Sequence, residues 1–255
     1  MKRRYLCTAG ALLFLLAEVT VCAQDGASEP AGSINAAASQ PLMIKRILFL
    51  GNSITLHGPA PKIGWTGNWG MAASSEDKDY VHLLVQDLTK ETGSKPEIMV
   101  RNIAEFERGL SAYSIEEQLK KELEFQADLV IIAIGENAAK PETPEAKQAF
   151  SSAFVKLMEA IENSGNPRIF VRSQFWSDDV KDGLMKDVTL ARKHHWVDLS
   201  GMVDESCYAR SERQIEHAGV AGHPGDKGMA VIAAALKKAI VDSGNENLEV
   251  KKAKE

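Results

Sequence analysis

The sequence predicts an α/β fold, a three-layer α/β/α sandwich built around a five-stranded parallel sheet. Two observations indicate this fold: five short runs are rich in Val, Ile, Leu and Phe, and the longer segments between them carry apolar residues at helical spacing. With 255 residues, of which 44% are apolar and 25% are charged, the chain is long enough for one large domain with a sizeable core.

The predicted strands are short and mostly apolar. They lie at residues 44–50, 97–103, 128–134, 168–175 and 196–199. The third run is almost wholly apolar, which is typical of strands covered on both faces of a parallel sheet and not of strands with one face in water.

The predicted helices separate and follow these strands. They lie at residues 78–91, 114–125, 143–163, 179–193 and 226–242. In the first helix Val81, Leu84 and Leu88 share one face, and Pro144 stands in the first turn of the third. Alternating strands and helices imply right-handed crossovers, and such sheets bind ligands at the carboxyl ends of their strands. The residues that directly follow each strand are therefore the candidate functional residues.

The two ends of the chain differ from the rest. Basic residues at 2–4, an apolar run at 6–21 and Ala23 form the pattern of a secretory signal peptide. The apolar run is shorter than the ~20 residues that a bilayer-spanning helix needs, so a transmembrane anchor is the weaker alternative, as is a lipoprotein signal at Cys22. We expect a signal peptide at 1–23, a flexible linker at 24–40, a folded domain at 41–245 and a disordered tail at 246–255. The mature protein is then secreted or periplasmic.

Charge and cysteine content exclude several classes of function. A net charge of −5 and a pI near 5.8 argue against nucleic acid and anionic membranes as partners. After signal cleavage only Cys207 remains, so neither an internal disulfide nor a cysteine zinc site is possible. Cys207 has no obvious base beside it in the sequence and is expected to be structural, with a nucleophilic role as the alternative. No metal or organic cofactor is expected.

Three segments at the predicted sheet edge carry candidate chemistry. Gly51-Asn52-Ser53 follows the first strand and could present the serine hydroxyl above the sheet, although Gly-Asn-Ser is also an ordinary turn. Asn137 follows the third strand, where its amide could donate to an oxyanion or satisfy loop backbone. His223 precedes the last helix and could serve as the base for a serine hydroxyl, or pack its loop.

Taken in this order, the three segments resemble the blocks of the GDSL/SGNH hydrolase family. The family has Gly-Asp-Ser after its first strand, Gly-x-Asn-Asp after a later one, and Asp-x-x-His before its final helix. The resemblance spans residues 44–243 and implies a flavodoxin-like SGNH hydrolase domain over 41–245. It further implies Ser53 as nucleophile, His223 as base, and Asn137 as an oxyanion donor beside the Ser53 backbone N–H.

The sequence departs from the family pattern at three positions. Asn52 and Ala138 replace aspartates, and Val220 stands where the triad acid belongs. A valine cannot orient an imidazole, so we expect a Ser–His dyad in which a main-chain carbonyl, such as that of Val220, accepts a hydrogen bond from His223 Nδ1. The alternatives are the side chains of Glu216, His217 and Asp226.

The block after the second strand is also unusual. Gly109 is the candidate for a backbone oxyanion donor, and an N–H nearer Phe106 is the alternative. Three charged residues belong either to the active-face loop or to solvated surface: Glu105, Glu107 and Arg108. Arg172, in the fourth strand, could bind an acidic group or pair with Glu136.

A long loop at 56–75 suggests how substrate binds. Trp65 and Trp69 in this loop, and Trp176 after the fourth strand, could stack on sugar rings or pack the loop down. His57 could line the pocket or be structural. These features favour a serine esterase that removes acyl groups such as acetyl from a carbohydrate through an acyl-enzyme, acting on a small-molecule or oligosaccharide ester and without stable membrane insertion. A non-catalytic glycan-binding domain on the same fold and an acyltransferase are the alternatives.

Overall fold

The strands form one parallel sheet, as the sequence predicts. The structure, a computed structural model, describes residues 43–252, with side chains as far as Gly244. The strands are β1 Arg46–Gly51, β2 Glu97–Asn102, β3 Leu129–Ala133, β4 Arg168–Arg172 and β5 His195–Val197. Their order is β2-β1-β3-β4-β5, and each neighbouring pair is parallel. The predicted fold class is therefore confirmed.

The helices complete the two outer layers of the sandwich. They are α1 Tyr80–Thr92, α2 Ala104–Gly109, α3 Ile115–Gln118, α4 Lys120–Glu124, α5 Pro144–Asn163, α6 Asp179–Ala191, α7 Ala209–Glu212, α8 Ala218–Ala221 and α9 Asp226–Lys252. The sequence did not predict α2, and the helix predicted at 114–125 is two short helices separated at Leu119. Among the described residues, none of the helices combines the length and the hydropathy that a membrane-spanning segment requires.

The last helix differs from its predicted length. It extends to Lys252 and so enters the segment predicted as a disordered tail at 246–255. The segment contains no proline and no other strong helix breaker beyond Gly244, so the helical hydrogen bonds can continue. The predicted signal peptide at 1–23 and linker at 24–40 lie outside the described residues, as do Cys7 and Cys22, and these predictions stay untested.

Alternate residues of each strand enter two different cores. In β1, Ile47 and Phe49 pack on one face against α1 and α9, while Leu48 and Leu50 pack on the other against α5. Successive side chains of a strand point to opposite faces, so a continuous apolar run is buried on both. Cys207 is fully buried in the first of these cores, in agreement with a structural role.

The strand order brings the candidate segments together. Gly51, at the end of β1, pairs with Asn102 of β2 on one side and with Ala133 of β3 on the other. All three strands are parallel, so the loops that follow them meet at one edge of the sheet, where the strand order reverses.

Candidate active site

The turn after β1 is tightly built around Asn52. A Cβ atom on Gly51 would collide with the Thr55 side chain and lie 3.1 Å from the Ala133 carbonyl oxygen, so only glycine fits there. The backbone N–H of Thr55 donates to the Asn52 carbonyl at 2.9 Å, and that of Ile54 donates to Asn52 Oδ1 at 3.1 Å. This turn carries Ser53 out of the sheet edge.

Ser53 and His223 are in direct contact. Ser53 Oγ lies 2.8 Å from His223 Nε2, although the two residues are 170 positions apart in the sequence. His223 Nδ1 lies 2.7 Å from the Gly219 carbonyl oxygen, which can only accept, so Nδ1 carries the proton and Nε2 is free to accept from the hydroxyl. Burial lowers the pKa of His223 below its ordinary value, which favours the neutral ring that a base requires.

The carbonyl that orients His223 is that of Gly219, so the choice of Val220 was wrong by one residue. The Val220 carbonyl accepts from the backbone N–H of His223 at 3.0 Å, in the last turn of α8. The Gly219 carbonyl, also at the end of this helix, is left for the side chain.

The acidic and imidazole alternatives are engaged elsewhere. His217 Nδ1 accepts from the Val220 N–H at 3.3 Å, and Asp226 accepts from the Ser74 N–H at 2.7 Å. Glu216 is exposed. The geometry is therefore that of a Ser–His pair oriented by main chain.

Asn137 is held by a buried glutamate. Its Nδ2 donates to Glu107 Oε2 at 2.6 Å, which leaves the second hydrogen of the amide for another acceptor. Asn137 and Ser53 line the same cavity.

Gly109 is not among the residues that line the cavity. It is the last residue of α2, whereas Asn102, Ala104 and Arg108 of the same segment line the cavity with Ser53. A backbone oxyanion donor at Gly109 therefore stays a prediction.

Two buried carboxylates lie under the serine turn. Glu107 is only 2% exposed, and its Oε1 accepts from the Gly135 N–H and from Asn52 Nδ2. Glu136 Oε2 accepts from the same Asn52 nitrogen at 2.7 Å. The Asn52 amide thus donates to both carboxylates. An ionised aspartate, as in the family pattern, could not fill this role, because a carboxylate only accepts hydrogen bonds and would add a third negative charge.

Arg172 compensates part of this buried charge. Its Nη1 donates to Glu136 Oε1 at 2.7 Å and to the Ser173 carbonyl at 2.8 Å, and its side chain is fully buried. Arg172 thus pairs with Glu136, one of the two roles left open by the sequence. Its Nε and Nη2 have no hydrogen-bond partner among the described residues.

The two glutamates differ in their ionisation. Burial by itself would raise the pKa of Glu136, but the charge of Arg172 and the hydrogen bonds to the carboxylate outweigh it, so its pKa lies below the ordinary value. Burial, followed by the neighbouring Glu136 charge, raises the pKa of Glu107 despite its hydrogen bonds. Of the two carboxylates under the turn, Glu136 therefore keeps its negative charge to the lower pH.

The three tryptophans predicted to stack on sugar rings are hydrogen-bonded to loop backbone. Each indole N–H donates to a backbone carbonyl: Trp65 to His57 at 3.0 Å, Trp69 to Ala73 at 3.1 Å, and Trp176 to Gly222 at 3.1 Å. Trp65 is 6% exposed and meets Trp69 edge-on. These hydrogen bonds fasten loops, in agreement with the packing alternative. Burial leaves Trp65 without an open ring face, so the substrate-binding prediction is wrong for Trp65, whereas for half-buried Trp69 and Trp176 it stays a prediction. Trp176 packs edge-on against His223, with 5.1 Å between ring centroids.

A cavity of about 310 Å³ opens above the pair. Its lining includes Ser53, His57, Ala104, Arg108, Asn137 and His223. His57 therefore lines the pocket. Within the described residues, no group of three or more His, Cys, Asp or Glu side chains is placed to hold a metal ion.

Glu107 is the site residue that the sequence does not reveal. It stands between exposed Glu105 and Arg108, and its partners Gly135 and Asn137 are 28 and 30 positions away. No local pattern marks it as buried.

Comparison with solved structures identifies the fold. A protein named as a GDSL-like lipase from Bacteroides uniformis has a TM-score of 0.52 and 12% identity, over 78% of this chain and 96% of its own. A family two carbohydrate esterase from Clostridium thermocellum, in complex with cellohexaose, has a TM-score of 0.52 and 17% identity, over 81% of this chain and 66% of its own. A two-domain esterase active on acetylated mannans has a TM-score of 0.50 and 16% identity over 78% of this chain.

The chain spans about half the length of that two-domain esterase, 48%. No protein-family model matches the sequence, and no curated protein does. The sheet order and these structural similarities together establish that the chain has the fold of the GDSL/SGNH hydrolases.

Proposed function

We propose that this protein is a serine ester hydrolase with Ser53 as nucleophile and His223 as base. The observation that carries the proposal is the 2.8 Å contact between Ser53 Oγ and His223 Nε2, with Nδ1 hydrogen-bonded to the Gly219 carbonyl. The carbonyl holds the tautomer in which Nε2 can take the hydroxyl proton, which is the orienting part of the role that an aspartate has in a triad.

The proposed reaction proceeds through an acyl-enzyme. Ser53 Oγ attacks the acyl carbonyl while His223 accepts its proton, and the protonated ring then returns that proton to the leaving alkoxide. The free hydrogen of the Asn137 amide and the Ser53 backbone N–H stabilise the tetrahedral oxyanion. Water, deprotonated by His223, then attacks the acyl-serine, releasing the acid and restoring the Ser53 hydroxyl.

The proposed substrate is an acetyl ester of a carbohydrate. In support, the cavity of about 310 Å³ is small, near the lower limit for ligand pockets. Two proteins of the same fold are described as active on acetylated mannans and as bound to cellohexaose. We also propose export to the periplasm or outside the cell, because of the sequence pattern at residues 1–23.

A fluorophosphonate probe on the purified protein tests the nucleophile. We expect labelling that is lost in Ser53→Ala, strongly slowed in His223→Ala, and unchanged in the control Ser111→Ala. Absence of labelling, or labelling that persists in Ser53→Ala, would contradict the proposal and favour a non-catalytic glycan-binding domain.

Acetate release tests the substrate. Acetylated oligosaccharides should release acetate with the unaltered protein and not with Ser53→Ala. Acetyl transfer to an added sugar in preference to water would instead indicate an acyltransferase.

A further inference from the structure

An arginine without a partner lines the cavity that contains Ser53. Arg108 is exposed and has no ion-pair or hydrogen-bond partner among the described residues. It stands four residues after Ala104 on α2, so both side chains lie on one helix face, and both line the cavity. The small alanine leaves space next to the guanidinium.

The cavity lining has only basic and neutral residues. None of the described residues that line it is Asp or Glu, although the chain has a net charge of −5. His217, which also lines it, accepts the Val220 N–H at Nδ1, so its neutral ring carries the proton on Nε2 and offers a donor there. An anionic group would therefore find donors and no opposing carboxylate.

The two buried glutamates under the serine turn face the interior. Glu136 accepts from Arg172, from the Phe175 N–H and from Asn52. Glu107 accepts from Asn137, among other donors, and neither glutamate lines the cavity. Arg108 is thus the charged side chain that the cavity lining presents to a ligand.

We propose that Arg108 binds a carboxylate of the substrate, so that acetyl esters of acidic sugars are hydrolysed in preference to those of neutral sugars. This inference rests on the proposed function. A guanidinium can bind a carboxylate through two parallel N–H···O bonds, which an ammonium cannot reproduce. In a cavity of about 310 Å³, that carboxylate lies within about one sugar ring of the scissile ester.

The test compares two substrates that differ only at one carbon. A monoacetylated methyl glucuronoside and the corresponding methyl glucoside share the acyl group and the ring, so the ratio of their kcat/KM values isolates the carboxylate. We expect the ratio to exceed ten at low salt, to fall at least tenfold in Arg108→Ala, and to be partly retained in Arg108→Lys. Added salt should lower the ratio because the guanidinium is exposed.

A matched control removes the same charge elsewhere. Lys147 is an exposed residue of α5, remote in sequence and not part of the cavity lining, and Lys147→Ala should leave the ratio unchanged. A ratio near one in the unaltered protein, or an equal ratio in Arg108→Ala, would overturn the inference. A preference found only for p-nitrophenyl hemisuccinate over the butyrate ester would also overturn it, because the carboxylate would then belong to the acyl group.

Calorimetry separates failure of this inference from failure of the proposed function. Ser53→Ala should bind methyl glucuronoside more tightly than methyl glucoside, and Arg108→Ala in the same background should remove the difference. Such binding without any fluorophosphonate labelling or acetate release would refute the hydrolase and leave the carboxylate site standing. Hydrolysis of the neutral ester, with an unchanged ratio of kcat/KM values in Arg108→Ala, would support the hydrolase and refute the carboxylate site.

Discussion

The two halves of the Ser–His pair are supported in opposite ways. Ser53 stands on a buried network of charged side chains, in which the Asn52 amide joins Glu107 to Glu136 and Arg172 pairs with the latter. His223, in contrast, is held by main chain.

On the histidine side the supports are uncharged. The Gly219 carbonyl accepts from Nδ1, and the edge of the Trp176 ring packs against the imidazole. Trp176 in turn donates its indole N–H to the Gly222 carbonyl at 3.1 Å, which fastens the same loop.

This difference indicates where the site depends on charge. A main-chain carbonyl fixes the histidine tautomer but offers an imidazolium less stabilisation than a carboxylate does. The buried carboxylates act on the oxyanion side, because Glu107 positions the Asn137 amide. Variants on the nucleophile side should therefore have larger effects than matched variants on the histidine side.

The largest effect is expected for the buried ion pair. Arg172→Met leaves Glu136 unpaired in the interior, and we expect a loss of about 3–5 kcal/mol in the free energy of unfolding. Denaturant unfolding measures it, with Arg210→Met as the control, because the Arg210–Glu205 pair is exposed to solvent and its loss should lower the free energy of unfolding far less. Equal losses in the two variants would mean that the network is not a structural unit.

The next largest effect concerns the oxyanion donor. Asn137→Ala should lower kcat for acetate release by about 10²–10³-fold, with little change in KM, because the amide acts mainly in the transition state. Asn163→Ala, at the end of α5, is the control. A kcat within threefold of the unaltered protein would exclude Asn137 from oxyanion stabilisation.

The variant Glu107→Gln tests whether Glu107 positions the Asn137 amide. The neutral amide weakens the hydrogen bond that holds Asn137, and we expect kcat to fall about 10–100-fold with stability largely kept. Exposed Glu105→Gln, two residues earlier, should leave kcat unchanged. If Glu107 acts through Asn137, the double variant Asn137→Ala/Glu107→Gln should lose no more kcat than Asn137→Ala alone. Additive losses in the double variant would contradict that role of Glu107.

A smaller effect is expected on the histidine side. Trp176→Phe removes the N–H to the Gly222 carbonyl but keeps an aromatic ring near His223, so kcat/KM should fall only a few-fold. Trp69→Phe removes the same kind of hydrogen bond, to the Ala73 carbonyl, and should affect kcat/KM less. A loss of activity in Trp176→Phe larger than that in Glu107→Gln would mean that the histidine side of the site is more sensitive than the nucleophile side.

The smallest expected effect is a shift of the acidic limb in the pH profile of kcat/KM. His223 is active when neutral, so kcat/KM is constant above its pKa and falls tenfold per pH unit below it. Burial lowers that pKa, and the acidic limb should therefore lie below the ordinary histidine value of about 6.5. A limb above that value would contradict a buried, neutral histidine as the base.

Much of the fold was predictable because its signals are local. The apolar runs at 128–134 and 168–175 contain β3 and β4, and Thr143 caps α5 with a hydrogen bond from the Ala146 N–H at 3.2 Å. Where local signals were weak, the secondary-structure prediction failed. Helix α2 was missed because it has only six residues and its charged sequence is typical of a solvent-exposed segment.

The candidate site likewise has features that local sequence predicts and features that it does not. Local patterns in the sequence predict the sheet, its buried strands and the edge on which Ser53, Asn137 and His223 meet, because apolar periodicity and the order of strand ends are properties of the linear chain. Tertiary contacts are needed to establish that Gly219 orients the histidine, that Glu107 is buried under Asn137, and that the tryptophans fasten loops. Each of those outcomes depends on which donor finds which acceptor, and hydrogen-bond partners brought together across tens of residues leave no pattern in the local sequence.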